Sequence, residues 1–342
     1  MAKPVHIPFQ QLLDALLDVD TPFKPRYLHR LSDLERPELK NLQSVWTKLP
    51  LWRRQALMED VEELSGKDTM LDFVALSCLT LQDDDPKVRL LAVHTLWEYE
   101  ETRLIPYFLK LLSSDEDAEV RAASAGALSP YVFAGELDQI PVETLHTLEN
   151  NLLAVVNGDD VPIVRQAALE AMGYSSRDEV LPLIESAYAS NDKSWIASAL
   201  FAMGRSANLR WQPQIMTMLK SSLPSLRFQA ARAAGELEIS SALPDLMELL
   251  DDPDDNTRLA SIWSLSQIGG EGVREILEKM VDEAEDDEDI DYLESALENL
   301  SFDESLPFLS LFDFPEDPSQ NLDHYDLDDS HELFDDDQET VD

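Results

Sequence analysis

The sequence predicts an all-α fold in which helix pairs repeat and stack into an α-solenoid (alpha-alpha superhelix), and three observations carry that prediction. A Val-Arg pair recurs along the chain with a nearly constant step. The positions three and four residues beyond it are small or apolar in almost every copy. Asp-rich turns separate the copies.

The recurrence is clearest in Pro86-Lys-Val-Arg89, Ala118-Glu-Val-Arg121 and Pro162-Ile-Val-Arg165, each of which follows an Asp-rich turn and precedes an Ala-rich segment. With the Arg as register, later copies place Ile196, Arg227, Arg258 and Asp289 there, at steps of 32, 44, 31, 31, 31 and 31 residues. A fixed period of this size is the mark of a solenoid, here of about seven helix pairs. The 44-residue step carries its extra length between Tyr131 and Asn151, where Phe133-Ala-Gly135 and Pro141 predict a lengthened loop.

Each unit reads as an outer helix such as Leu243 to Leu250, a turn such as Asp251 to Asp255, and an inner helix such as Asn256 to Ile268. Asp and Asn at a helix start accept hydrogen bonds from its free N–H groups, and Pro fits the first turn. Four residues beyond the register, Val93, Ala125, Leu169, Leu200, Ala231, Ile262 and Leu293 form an apolar column. One position earlier stand Ala92, Ser124, Ala168, Ala199, Ala230 and Ser261, small enough for close helix approach. One pair cannot cover its own apolar face, so stability has to come from stacking.

This pattern resembles the HEAT repeat, in particular the short bacterial form also found in bilin-lyase-like proteins, over about residues 70–300. The sequence departs from it at Ile196 and Asp289, where the Arg is missing. The resemblance implies that the Arg pairs with a turn Asp of an adjacent unit, which makes Arg89, Arg121, Arg165, Arg227 and Arg258 structural.

Residues 1–69 lack the unit, although Pro37 to Trp46 and Leu51 to Leu64 read as helices, and are expected to cap the array whose solenoid runs over 70–312. Residues 313–342 hold 13 acidic and no basic residues and are expected to be a disordered acidic tail. Its apolar-acidic strings Leu309 to Phe314 and Glu332 to Phe334 suggest an intramolecular contact with the groove described below, or a purely solubilising role.

The formal net charge is −43 and it is graded: residues 1–60 contribute +1, 61–279 contribute −19 and 280–342 contribute −25. Such a field repels phosphate backbones and anionic lipid heads, which disfavours nucleic acid and membrane as partners. With no long apolar run and no N-terminal leader pattern, a cytoplasmic location is expected.

No constellation of residues carries chemistry. Cys78, the single cysteine, lies in an apolar helical run and reads as a buried small hydrophobe. Of the six histidines only His331 is followed by Glu, in the tail, so no metal site and no cofactor is expected. Gly269-Gly-Glu-Gly272 lacks the Lys of a phosphate loop and reads as a helix end, and the acidic run Asp282 to Asp291 reads as solvated charge.

Five residues beyond the register, opposite the apolar columns, come His94, Gly126, Glu170, Phe201, Arg232, Trp263 and Glu294. Aromatic and Arg residues in three consecutive units are unusual for a solvated face and are the types that dominate protein interfaces. Phe228 and Leu259 one turn earlier, and Arg205, Glu236 and Gln267 one turn later, extend the strip. The expected partner-binding residues are therefore Phe201, Arg205, Phe228, Arg232, Leu259, Trp263 and Gln267, lining the concave groove of a right-handed array. The reading is a monomeric, non-enzymatic scaffold or adaptor for a protein or peptide. A chaperone-like or cofactor-delivery accessory protein, with an apolar small molecule in the same groove, stays open beside it.

Overall fold

The structure is a computed structural model that describes residues 7–309, and every regular element among them is helical. Three helices come first, α1 (Phe9–Leu17), α2 (Arg36–Trp46) and α3 (Leu51–Lys67). Two pairs follow, α4 (Val74–Thr80) with α5 (Pro86–Thr95) and α6 (Ile105–Ser114) with α7 (Ala118–Ala127), and then the unpaired α8 (Ser129–Glu136). The remaining pairs are α9 (Val142–Asn157) with α10 (Pro162–Ala171), α11 (Val180–Tyr188) with α12 (Lys193–Arg205), α13 (Gln212–Met218) with α14 (Pro224–Glu236), α15 (Leu243–Glu248) with α16 (Asp255–Ile268), and α17 (Val273–Glu283) with α18 (Asp287–Leu309). The chain is an α-solenoid. Residues 313–342, with His324 and His331, lie outside the described residues, as does His6.

Each inner helix packs on the inner helix of the next unit, in the unbroken order α3, α5, α7, α10, α12, α14, α16, α18. Each outer helix packs mainly on inner helices, with at most marginal contact to its outer neighbours. The inner helices thus form one continuously packed layer, and the outer helices a second layer held mainly through it. The columns three and four residues beyond the register are buried, Ile262 at 5% and Leu293 at 4% being the most exposed, except that the last unit has the half-buried Tyr292 three residues beyond its register. Burial of a side chain such as Leu169 or Leu200 contributes roughly 1.5–3 kcal/mol, available only because a neighbouring unit covers it.

A second 31-residue series, Gly173, Gly204 and Gly235, fixes how closely the inner helices approach. A Cβ added at Gly204 would lie 2.9 Å from the Cα of Ala233, and one at Gly235 would lie 2.8 Å from the Cα of Ser264. Real Cβ atoms do not sit that close to backbone, so these contacts require the missing side chain.

The turns are built on two acidic positions. In Asp83-Asp84-Asp85, Asp115-Glu116-Asp117 and Asp252-Pro253-Asp254 the first Asp accepts the backbone N–H of the second. The second caps the inner helix, as Asp254 does by accepting the Thr257 N–H at 2.9 Å. The first Asp also receives the register Arg of the preceding unit in a two-pronged pair, Arg89 to Asp115 at 2.7 and 2.7 Å and Arg227 to Asp252 at 2.6 and 2.8 Å. Arg121 holds Asp160 in the same way, at 2.8 and 2.6 Å. Arg54 of α3 pairs with the fully buried Asp83, so the N-terminal helices join the same ladder without the Val-Arg sequence.

Two register arginines depart from the expected pairing with an adjacent unit, and the next turn explains both. Arg165 faces Ser190 where other units have Asp, and its Nε donates instead to the Val156 carbonyl at 3.0 Å. Arg258 faces the turn at Ala284 and pairs with Asp255 of its own helix. Ile196, where the Arg itself is missing, is followed by a turn with Ser221 in the Asp position.

The long step between Tyr131 and Asn151 is not the lengthened loop that Gly135 and Pro141 predict. Residues Phe133 to Gly135 are helical, inside α8, which carries Pro130 in its first turn and packs on α9 and on the turn Met172–Tyr174. Leu145 of α9 occupies the space a Gly135 side chain would fill, so this glycine is a packing residue rather than a breaker. Among the described residues no helix is long and apolar enough to cross a membrane.

Candidate functional site

The strip of residues predicted for binding lies along α12, α14 and α16. Phe201 and Trp263 are both half-buried and neither belongs to the core, so both reach the surface of the inner-helix layer. The site is less outward-pointing than the helix period suggests. All the register-plus-five residues except Glu294 are half-buried, as the packing of each inner helix on the next requires.

Arg205 is the centre of the arrangement. Its guanidinium lies 4.1 Å from the Phe201 ring centroid and 4.9 Å from that of Tyr174, between two aromatic rings. Its Nη1 donates to the Ser129 hydroxyl of α8 at 2.7 Å, two units back in the array. Its buried Nε has no hydrogen-bond partner among the described residues. Burial lowers the Arg205 pKa, with Tyr174 and Glu236 acting in the opposite direction. On the next helix Arg232 stands 5.7 Å from the same Phe201 ring and donates to Glu236 at 3.3 Å. Phe201 therefore sits between two cations, a contact that gains strength where water is partly excluded.

Two carboxyl groups flank the rings. Burial pushes the Glu236 carboxyl above the ordinary glutamate value, against the pull of Arg205 and Arg232. Burial also raises Glu170, which accepts a hydrogen bond from Ser198. The ledge is thus close to charge-balanced although the surrounding array is acidic.

The other predicted residues divide. Trp263 makes no ring or cation contact among the described residues, and its indole N–H has no protein acceptor there. Gln267 is half-buried beyond it. Phe228 packs against the core, which leaves it less to offer a partner. Leu259, 37% exposed, lines a separate cleft of about 680 Å³ with Arg258, Ile262, Met280 and Tyr292, between the last two units.

Sequence reasoning missed Tyr174, Phe133 and Ser129. Tyr174 occupies the position that Arg205, Glu236 and Gln267 hold in later units, so extending that column one unit back finds it. Phe133, 45% exposed, stacks on Tyr174 with ring centroids 4.7 Å apart and comes from the helix read as a loop.

Reactive groups are sparse. Cys78 is part-buried on α4, and burial pushes its thiol pKa up, away from the reactive thiolate. Among the described residues no group of three or more His, Cys, Asp or Glu is placed to hold a metal ion. His94 instead bonds Glu62 through Nδ1 at 2.7 Å and packs on Trp97.

Fold and face together define a helical-repeat array with an aromatic and cationic ledge on its inner side. Residues 75–142 and 213–298 match the family model of HEAT repeats, so the array contains HEAT repeats. Similar solved structures include the CpcE–CpcF complex of phycocyanin lyase from Nostoc sp., at 17% identity and a TM-score of 0.45 over 66% of this chain and 94% of that one. YibA of E. coli aligns at 17% identity and 0.39 over 70% and 96%. Human deoxyhypusine hydroxylase in complex with glycerol aligns at 17% and 0.34 over 76% and 95%. A search of curated proteins finds no match to the chain.

Proposed function

We propose that this protein is a non-enzymatic scaffold or adaptor that holds a protein or peptide along its concave face, with Phe201, Arg205, Arg232 and Trp263 as the anchors. The observation that carries the reading is the ledge at Phe201. Two guanidiniums hold that side chain in place before any partner arrives, and one of them, that of Arg205, also lies against the Tyr174 ring, while Trp263, two inner helices further on in α16, keeps an unused indole N–H. Preordered aromatic and Arg side chains lose little conformational freedom on binding, and they concentrate binding energy in a few contacts. Gln267 and the exposed edge of Phe228 extend the strip, and Leu259 marks its far end. The acidic array favours a protein surface over nucleic acid or a membrane.

The test is quantitative capture of partners from native lysate by the wild-type chain, Phe201→Ala and Trp263→Ala, with helicity and melting checked in parallel. The reading predicts a stoichiometric protein whose recovery falls about tenfold or more with either variant, as hot-spot truncations cost over roughly 1–2 kcal/mol. Variants that retain every partner would remove the groove from the account.

A further inference from the structure

Register arginines elsewhere in the array are closed off by carboxylates. Arg89 lies in a cleft whose walls include Asp83, Asp84, Asp115, Glu116 and Asp117, and both prongs of its pair with Asp115 are 2.7 Å. Arg121, Arg227 and Arg258 each hold an Asp as well.

Arg165 does not. In the turn it faces, Ser190 takes the place of the first Asp. Its hydroxyl accepts the Asp192 N–H at 3.1 Å, as Asp115 does for Asp117 at 3.0 Å, but it brings no charge. Asp160 of its own turn is already held by Arg121. The guanidinium lies 5.5 Å from the Trp195 ring centroid, and Nη1 and Nη2 donate to no protein group among the described residues. These groups open into a cleft of about 380 Å³ whose polar lining includes Asn157, Ser186 and Ser190, and none of its lining residues is acidic. In an array carrying −19 over residues 61–279, a cleft lined by an arginine and no acidic residue stands out.

We propose that this cleft is a binding subsite for one carboxylate group, the acidic side chain of a bound peptide, seated beside Arg165 where Asp115 and Asp252 sit beside Arg89 and Arg227. The two free Nη groups offer a forked donor of the shape a carboxylate accepts. Asn157 and the two serines supply neutral hydrogen-bonding groups, and Trp195 a flat apolar wall. A singly charged carboxylate enters the surrounding acidic field at lower cost than a phosphate dianion. The subsite stands apart from the Phe201 ledge and does not depend on it.

The test uses the full chain and three small probes, acetate, acetamide and inorganic phosphate, at constant ionic strength. The readout is the indole N–H resonance of Trp195, assigned with Trp195→Phe. A saturable shift with acetate and none with acetamide is expected, and phosphate should bind more weakly. Arg165→Gln should weaken the acetate response by roughly tenfold or more, the loss expected for a charge-assisted pair. Ser190→Asp should abolish the response while raising the melting temperature, because it supplies the missing carboxylate from within. An unchanged acetate response in folded Ser190→Asp, an equal response to acetamide, or no response in the wild type would overturn the proposal. Tighter binding of phosphate than of acetate would overturn the carboxylate assignment.

Discussion

The guanidinium of Arg205 lies 4.1 Å from the ring centroid of Phe201, one helical turn before it on α12, and reaches Ser129 of α8 with the same group. A single side chain thereby links α8 to the aromatic ledge of α12. Arg205→Ala is expected to lower stability by about 1–3 kcal/mol, through lost stacking and packing as much as lost charge. Arg205→Met keeps the apolar stem, removes the buried unpartnered Nε, and is expected to stay within about 1 kcal/mol of wild type. Urea denaturation of the two variants checks the contrast.

The Arg–Asp ladder predicts a pH dependence with a definite sign. The hydrogen bonds from Arg227 hold the Asp252 carboxyl below the ordinary value of 3.8. A group whose pKa is lowered on folding adds stability above its unfolded value, and that stability disappears as pH falls through the folded value. Asp252→Asn is therefore expected to cost about 1–3 kcal/mol at neutral pH, and its gap to wild type should close in acid below about pH 4. Melting temperatures of the two proteins across that range measure it.

Close approach at the glycine series gives a steric prediction. Gly204→Ala places a methyl 2.9 Å from the Ala233 Cα and is expected to destabilise by about 1–3 kcal/mol. Gly66→Ala is the control: nothing lies within 4 Å of its added Cβ, and at this place in the last turn of α3 Ala gains at most roughly 0.5–1 kcal/mol over Gly. Denaturation midpoints should move in opposite directions.

How much of this was legible in the sequence follows from how local each contact is. The helix pairs and their apolar columns could be read because a 31-residue step repeats one contact, so Leu169 and Leu200 declare the same role. Helix α8 could not, since Phe133-Ala-Gly135 looks like a loop until Leu145 is known to fill the space beside Gly135. Arg54 joins the ladder from a Trp-Arg-Arg sequence that shares nothing with Val-Arg except where it stands in the stack. At the candidate site the strip from Phe201 to Trp263 came from helical period alone. The Arg205–Ser129 bond depends on the curvature of the array, which no single repeat records.

Site-specific photo-crosslinking reads out whether a partner docks along the inner face. A photo-reactive benzoylphenylalanine replaces Trp263 in one protein and Tyr107, exposed on the outer helix α6, in another. Docking on the inner face gives crosslinks to one protein from position 263 and none from position 107. Crosslinks to that protein from position 107, with none from position 263, would contradict it.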